Sequence, residues 1–71
     1  MNALTNGSIG KTYTIKWLLG LPNKIIDYLQ QFDIAPGNTV CVVQSCRDYM
    51  IVRSGTHCVA METGVAQQIK I

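Results

Sequence analysis

The chain has 71 residues, of which 48% are hydrophobic and only 14% charged, and its formal net charge is +2. A chain of this length forms one small domain that buries about 60% of its unfolded surface, so we expect some apolar surface to remain exposed for partner contacts. The six basic residues are scattered along the sequence, which disfavours nucleic-acid binding. No apolar run approaches the roughly 20 residues that a membrane-spanning helix needs. We therefore predict a single domain over residues 1–71 that does not insert into a membrane.

The first ten residues are mostly small and polar, and only Leu4 and Ile9 suggest anchoring. This composition predicts a loose N-terminal arm over residues 1–8. From Lys11 onward the sequence alternates polar and apolar residues, which predicts a first strand that ends near residues 18–19. On this strand one face would carry Tyr13, Ile15 and Trp17.

A helix is predicted over residues 22–32, because proline fits the first helical position and an apolar stripe follows it. The stripe contains Ile25, Leu29 and Phe32 at i, i+4 and i+7. Asp33 is predicted to end the helix, because aspartate tolerates the left-handed conformation better than most residues. The core is expected to contain Ile25, Leu29, Ile34, Val40 and Val42.

A tight turn is predicted at Pro36-Gly37, since proline presets the φ of the first central residue and glycine accepts positive φ at the second. Further strands are predicted over 39–45, 49–53 and 56–61, with a hairpin turn at Ser54-Gly55, a single helical turn over 62–66 and a final short strand over 67–71. Five strands with one helix between the first and second predict a mainly β fold, closed into a small barrel.

The candidate metal ligands are Cys46, His57 and Cys58. Their thiolates and imidazole suit zinc or a softer transition metal. However, the sequence has no Cys-x-x-Cys motif, and neighbouring residues on a strand point to opposite faces. We predict free thiols and no metal or cofactor. No nucleophile lies in an activating motif, so we also predict no catalytic residues and no enzymatic activity. Three cysteines and no apolar signal segment predict a cytoplasmic location.

The order of elements and two motifs resemble the FeoA family of small SH3-like domains. The turn motif is matched by Ile34, Pro36 and Gly37, followed by a valine-rich strand, and the family's tail pattern is matched by residues 59–61 and 66–71. The main departure is at Phe32-Asp33, where the family usually has Leu-Gly. The resemblance implies an SH3-like barrel and a non-enzymatic accessory module of bacterial ferrous iron transport.

The partner that the resemblance implies is the membrane GTPase transporter FeoB, contacted on the cytosolic side of the inner membrane. Two other functions stay open: an SH3-like accessory domain of a metal-dependent regulator, and a small nucleic-acid-binding barrel. Apolar side chains beside the helix are the predicted contact residues, and an equally open alternative is that they only close the mouth of the barrel. These residues are Leu18, Leu19, Leu21 and Tyr28.

Overall fold

The computed structural model describes residues 2–71, and Met1 lies outside the described residues. A 3-10 turn at Leu4–Asn6 precedes all of the longer elements. The order that follows is β1 Thr12–Thr14, β2 Trp17–Leu18, α1 Asn23–Gln30, β3 Thr39–Ser45, β4 Tyr49–Ser54, β5 His57–Glu62, α2 Thr63–Ala66 and β6 Ile69–Lys70.

The strands form two antiparallel sheets. The larger sheet has the order β1-β3-β4-β5, and the smaller one pairs β2 with β6. The mainly β prediction is confirmed, but within residues 2–71 the strands form these two sheets instead of one closed barrel. A shift of register between Val42 and Gln44 bends β3, as extra residues in one strand of a pair commonly do.

The predicted first strand is two strands, because the chain changes sheets at Ile15 and Lys16. The Ile15 N–H donates to the Asn38 carbonyl at 2.9 Å, on the side of the larger sheet, and the Lys16 N–H donates to the Lys70 carbonyl at 2.7 Å, on the side of β6. Ile15 is buried, whereas Trp17 is 42% exposed, so the two do not share a buried face. The structure therefore has six strands, and the helix lies between the second and third.

One hydrophobic core lies between the sheets and α1. It includes the predicted Leu29, Ile34, Val40 and Val42, whereas Ile25 is only partly buried and packs against it. The full core consists of Leu4, Ile15, Leu29, Ile34, Val40, Val42, Met50, Val52, Val59, Met61, Ala66 and Ile69.

The segment predicted as a loose arm is anchored in the structure at Leu4, although Asn2, Asn6 and Ser8 are exposed. Leu4 is 0% exposed, and the bridge between Ala3 and Lys70 places this segment beside β6. A Cβ added at Gly7 would lie 2.9 Å from the Tyr13 ring, so the backbone here approaches the sheet too closely for a side chain. The segment is held by long-range contacts that its local composition does not reveal. The remaining residue of the predicted arm, Met1, lies outside the described residues.

The helix is shorter than predicted at both ends, since α1 spans Asn23–Gln30. Pro22 caps α1 from outside, and a turn over 31–33 follows its last residue, Gln30. Asp33 has a φ of 60°, in the left-handed region that glycine adopts most easily at the end of a helix.

Two turns then set the strand register. Pro36 and Gly37 occupy the centre of a turn in which the Asn38 N–H donates to the Ala35 carbonyl at 3.1 Å, and Gly37 has a φ of 93°. The hairpin turn lies one residue later than predicted, because Ser54 pairs with His57 and leaves two residues between them.

Candidate partner-binding groove

An apolar groove of about 230 Å³ runs between α1 and β5. One wall comes from α1, the other from β5, and α2 closes one end. The lining residues are Ile25, Tyr28, Leu29, Ala60, Met61, Glu62 and Val65. The groove is smaller than the cavities of about 300–1,000 Å³ that usually hold small-molecule ligands, so it suits one or two side chains of a partner.

The residues that α1 turns toward β5 form the helical wall of the groove. Leu29 is 1% exposed and fastens the helix to the core, while the preceding residue Tyr28 is 49% exposed at the groove. The Tyr28 ring packs edge-on against Phe32, with centroids 5.3 Å apart, and Phe32 packs in the same way against His57 at 5.5 Å. These contacts join the end of α1 to the start of β5 and set the distance between the two walls.

The four predicted contact residues do not form one surface. Leu18 and Leu21 are partly buried and pack against the core. Leu19 is 49% exposed but does not line the groove, and its N–H donates to the Gln68 carbonyl at 2.9 Å. Only Tyr28 lines the groove. That these residues contact a partner stays a prediction, and the structure separates them into two places.

Sequence reasoning missed the groove residues contributed by β5 and α2. Ala60 and Val65 were assigned to a strand and a helical turn, without a role in binding. The signal in the sequence is a small residue, Ala60, between the larger apolar residues Val59 and Met61. In the structure Ala60 is exposed between these two buried neighbours, opposite a helix with an aromatic residue at the edge of its apolar stripe. That signal requires the register of β5 against α1, which is a tertiary property.

A larger, open and polar depression of about 550 Å³ lies near the end of α1. Two of its polar side chains bond within the chain. The Ser54 hydroxyl donates to the Phe32 carbonyl at 2.6 Å, and the Asn38 side-chain amide donates to the Asp33 carbonyl at 2.9 Å. These bonds fasten the turn after α1 to the larger sheet, which is a structural role.

The cysteines lie apart in the structure. Cys41 and Cys46 are partly buried, Cys58 is exposed, and all three are free. Within residues 2–71, no three His, Cys, Asp or Glu side chains come together in a way that could hold a metal ion. The absence of a bound metal stays a prediction.

Two tyrosines have shifted pKa values in opposite directions. The pKa of Tyr49 is raised above its ordinary value of 10.0, first by a hydrogen bond with the Cys46 side chain and second by the electrostatic effect of that side chain. The Gln44 amide, 3.2 Å from both Cys46 Sγ and Tyr49 Oη, acts against this rise. The pKa of Tyr13 is lowered, because the Ser8 N–H donates to its hydroxyl at 2.7 Å and stabilises the phenolate.

The structure defines a small, mainly β domain that carries an apolar groove between a helix and a strand. The profile of the FeoA domain family matches residues 2–71, and the chain belongs to this family. None of the helices in the described part of the chain is both long and apolar enough to span a bilayer.

Two solved structures share the fold. A crystal structure of an iron uptake regulatory protein (FeoA) aligns over 94% of this chain and 89% of its own, with 24% identity and a TM-score of 0.81. A manganese-dependent transcriptional repressor aligns over 99% of this chain and 41% of its own, with 15% identity and a TM-score of 0.80. The family resemblance and the SH3-like fold are thus confirmed. A search of curated proteins gave no significant match.

Proposed function

We propose that the chain is a non-enzymatic interaction module of bacterial ferrous iron transport that acts on the FeoB-type membrane GTPase transporter from the cytosolic side. Membership of the FeoA family supports the link to iron transport. The observation that carries the binding role is the groove, where Tyr28 leaves 49% of its surface exposed beside Ile25 and Val65. Aromatic side chains in apolar depressions are typical centres of binding energy in protein interfaces.

The distribution of the polar groups supports a binding module over an enzyme. The serine that lines the polar depression, Ser54, is 6% exposed, and its hydroxyl already donates a hydrogen bond to a backbone carbonyl. His57 packs its ring against Phe32. In the described residues, neither side chain is placed beside a second group that would activate it.

The test is a binding measurement between purified FeoB and four forms of this chain: wild type, Tyr28→Asp, Leu19→Asp and Ile9→Asp. Tyr28→Asp should abolish binding, because it places an ion in an apolar interface. Leu19 is 49% exposed outside the groove, so Leu19→Asp tests the other part of the predicted surface. Ile9→Asp is the control for the added charge, because Ile9 is 64% exposed and lies outside both surfaces.

Leu21→Asp is a poor choice for this test, because Leu21 packs against the core and a charge there would destabilise the fold. Circular dichroism must show that each variant used is folded. Wild-type protein that does not bind FeoB would contradict the proposed partner. Normal binding by folded Tyr28→Asp, with loss in Leu19→Asp, would move the interface from the groove to the segment around Leu19, just after β2.

The similarity to the repressor concerns the fold alone, since the two chains are 15% identical. The regulator-domain alternative predicts binding to a metal-dependent repressor. The nucleic-acid alternative predicts an RNA complex that weakens steeply with salt. Both can be measured with the same purified protein and the same charge variants.

A further inference from the structure

We propose that the groove binds an extended peptide segment, which adds as a new strand to the free edge of β5 and places a large apolar side chain between α1 and β5. This inference rests on the proposed function in taking the groove as the partner-binding surface. It adds the backbone chemistry and the sequence class of the bound segment. Strand addition of this kind obtains affinity from main-chain hydrogen bonds and specificity from pockets for alternate side chains.

The first observation is that β5 is a long, unprotected edge. It is the last strand of the order β1-β3-β4-β5 and has six residues, whereas the opposite edge strand β1 has three. Proline and lysine, which often protect an edge, are absent from His57–Glu62, and its one acidic residue, Glu62, lies at the far end; α1 faces this edge across the groove but does not pair with it. A long exposed edge without such protection is a template for pairing with another chain.

The second observation is the direction of the backbone groups. Ser54 and His57 flank a two-residue turn, so they form a hydrogen-bonded pair and the pattern alternates from there. Thr63 has the same parity as His57, and its N–H donates to the Asp48 carbonyl at 3.0 Å, as this pattern requires. The N–H and C=O groups of Cys58 and Ala60 therefore point away from β4, toward the open edge.

The third observation is that the edge itself lines the groove. Ala60 and Met61 both line it, although consecutive residues of a strand point to opposite faces. The groove therefore runs along the margin of β5, where the outward backbone groups lie. A strand placed there would bond to Cys58 and Ala60 and direct a side chain toward Tyr28.

Charge and size restrict the sequence of the bound segment. Glu62 is exposed and lines the groove, so it places a negative charge at one end of an otherwise apolar surface. The cavity of about 230 Å³ accommodates one or two large apolar side chains. We expect an extended segment in which a large apolar residue lies within two positions of lysine or arginine.

The first probe is a positional-scanning library of nonapeptides with blocked ends, selected on the immobilised full chain. Enrichment of a large apolar residue next to a basic one is expected. An absence of any sequence preference would overturn the inference. The selected peptide is then used with labelled protein to measure amide hydrogen exchange by NMR.

Exchange at Cys58 and Ala60 should slow by at least about tenfold when the peptide binds, because their N–H groups become hydrogen-bonded. The amides of Val59 and Met61 already bond to β4 and are the internal controls, unchanged by the peptide. Unchanged exchange at both outward amides in a saturated complex would overturn strand addition.

The matched variants are Ala60→Pro, which removes an outward N–H at a position where an edge strand tolerates proline, and Ala60→Ser, which keeps it. Ala60→Pro should bind the peptide at least about tenfold more weakly than Ala60→Ser, which alters the same groove position but keeps the N–H. A folded Ala60→Pro that binds normally would overturn the inference. If Ala60→Pro does not fold, the exchange measurement on wild type decides.

A second copy of the chain is the competing occupant. Light scattering that shows a dimer, with Cys58 and Ala60 amides protected without peptide, would assign the edge to that copy and overturn the inference. The same variants separate this inference from the proposed function. Equal binding of FeoB by wild type and Ala60→Pro would refute strand addition alone, whereas peptide binding without FeoB binding would refute the proposed partner alone.

Discussion

Replacing Leu4 with alanine should destabilise the domain as strongly as a substitution in the centre of the core. Leu4 is 0% exposed and belongs to the same apolar cluster as the sheet residues. The substitution removes three buried carbon groups, worth about 0.8 kcal/mol each, and leaves a cavity. The expected loss in the free energy of unfolding is therefore about 2–5 kcal/mol.

This loss is large for so small a domain. At about 0.05–0.15 kcal/mol per residue, the whole domain is stable by roughly 4–11 kcal/mol. Leu4→Ala should thus lower the melting temperature by at least about 8 °C, since each kcal/mol corresponds to about 4–8 °C at this size. A loss of about 5 kcal/mol exceeds the lower bound of this stability, and a domain at that bound would be unfolded at room temperature.

The assay is urea unfolding followed by circular dichroism, with Ile9→Ala as the matched control. Ile9 is an apolar residue near the same terminus but is 64% exposed, so its truncation should change stability by less than about 0.5 kcal/mol. Equal, small effects of both substitutions would mean that the N-terminal segment is loose in solution, and would refute the packing argument.

Three further predictions concern the turn after α1, the bond that fastens it and the tyrosines. Asp33→Gly should raise stability by up to about 1 kcal/mol in urea unfolding, because Asp33 has a φ of 60°; a loss would contradict this. Ser54→Ala should cost about 0.5–1.5 kcal/mol, since it removes the partly buried hydrogen bond to the Phe32 carbonyl at 2.6 Å; an unchanged midpoint would show that the bond is dispensable. In an NMR titration Tyr13 should ionise below 10.0 and Tyr49 above it. Because the folded-state pKa of Tyr49 is raised, its contribution to the free energy of unfolding is present below pH 10 and is lost as pH rises through that pKa. Because the folded-state pKa of Tyr13 is lowered, its contribution is present above pH 10 and is lost as pH falls through that pKa. The reverse order of ionisation would refute both assignments.

The elements with strong local signals could be predicted from the sequence. The spacing of Ile25 and Leu29 predicts the helix, and Asp33 marks the end of the turn that follows it. The predicted range is longer than α1 because it includes Pro22, which lies just before the helix, and the turn after Gln30. The valine-rich strand Thr39–Ser45 was predicted with its bounds. These features depend on contacts between residues that are near in sequence.

The features that failed depend on distant contacts. The alternation from Tyr13 to Trp17 is that of one strand, but Lys16 bonds to Lys70, more than fifty positions later, and this bond divides the strand between two sheets. The anchoring of Leu4 and the lining of the groove by Ala60 arise in the same way. None of these has a periodic signal, because each needs the position of a second, remote element.

The groove combines a rigid frame with an adaptable surface. Leu29 and Met61 hold its two walls, and both belong to the core, so the walls cannot separate without exposing apolar surface to water. The remaining contacts come from exposed side chains, above all Tyr28, which pack against neighbours only at their edges. A partner bound there would meet walls that are already ordered, so that only the exposed side chains such as Tyr28 would lose freedom on binding. Substitution of the exposed side chains would change partner preference and leave the core intact, so a single SH3-like frame can serve different partners.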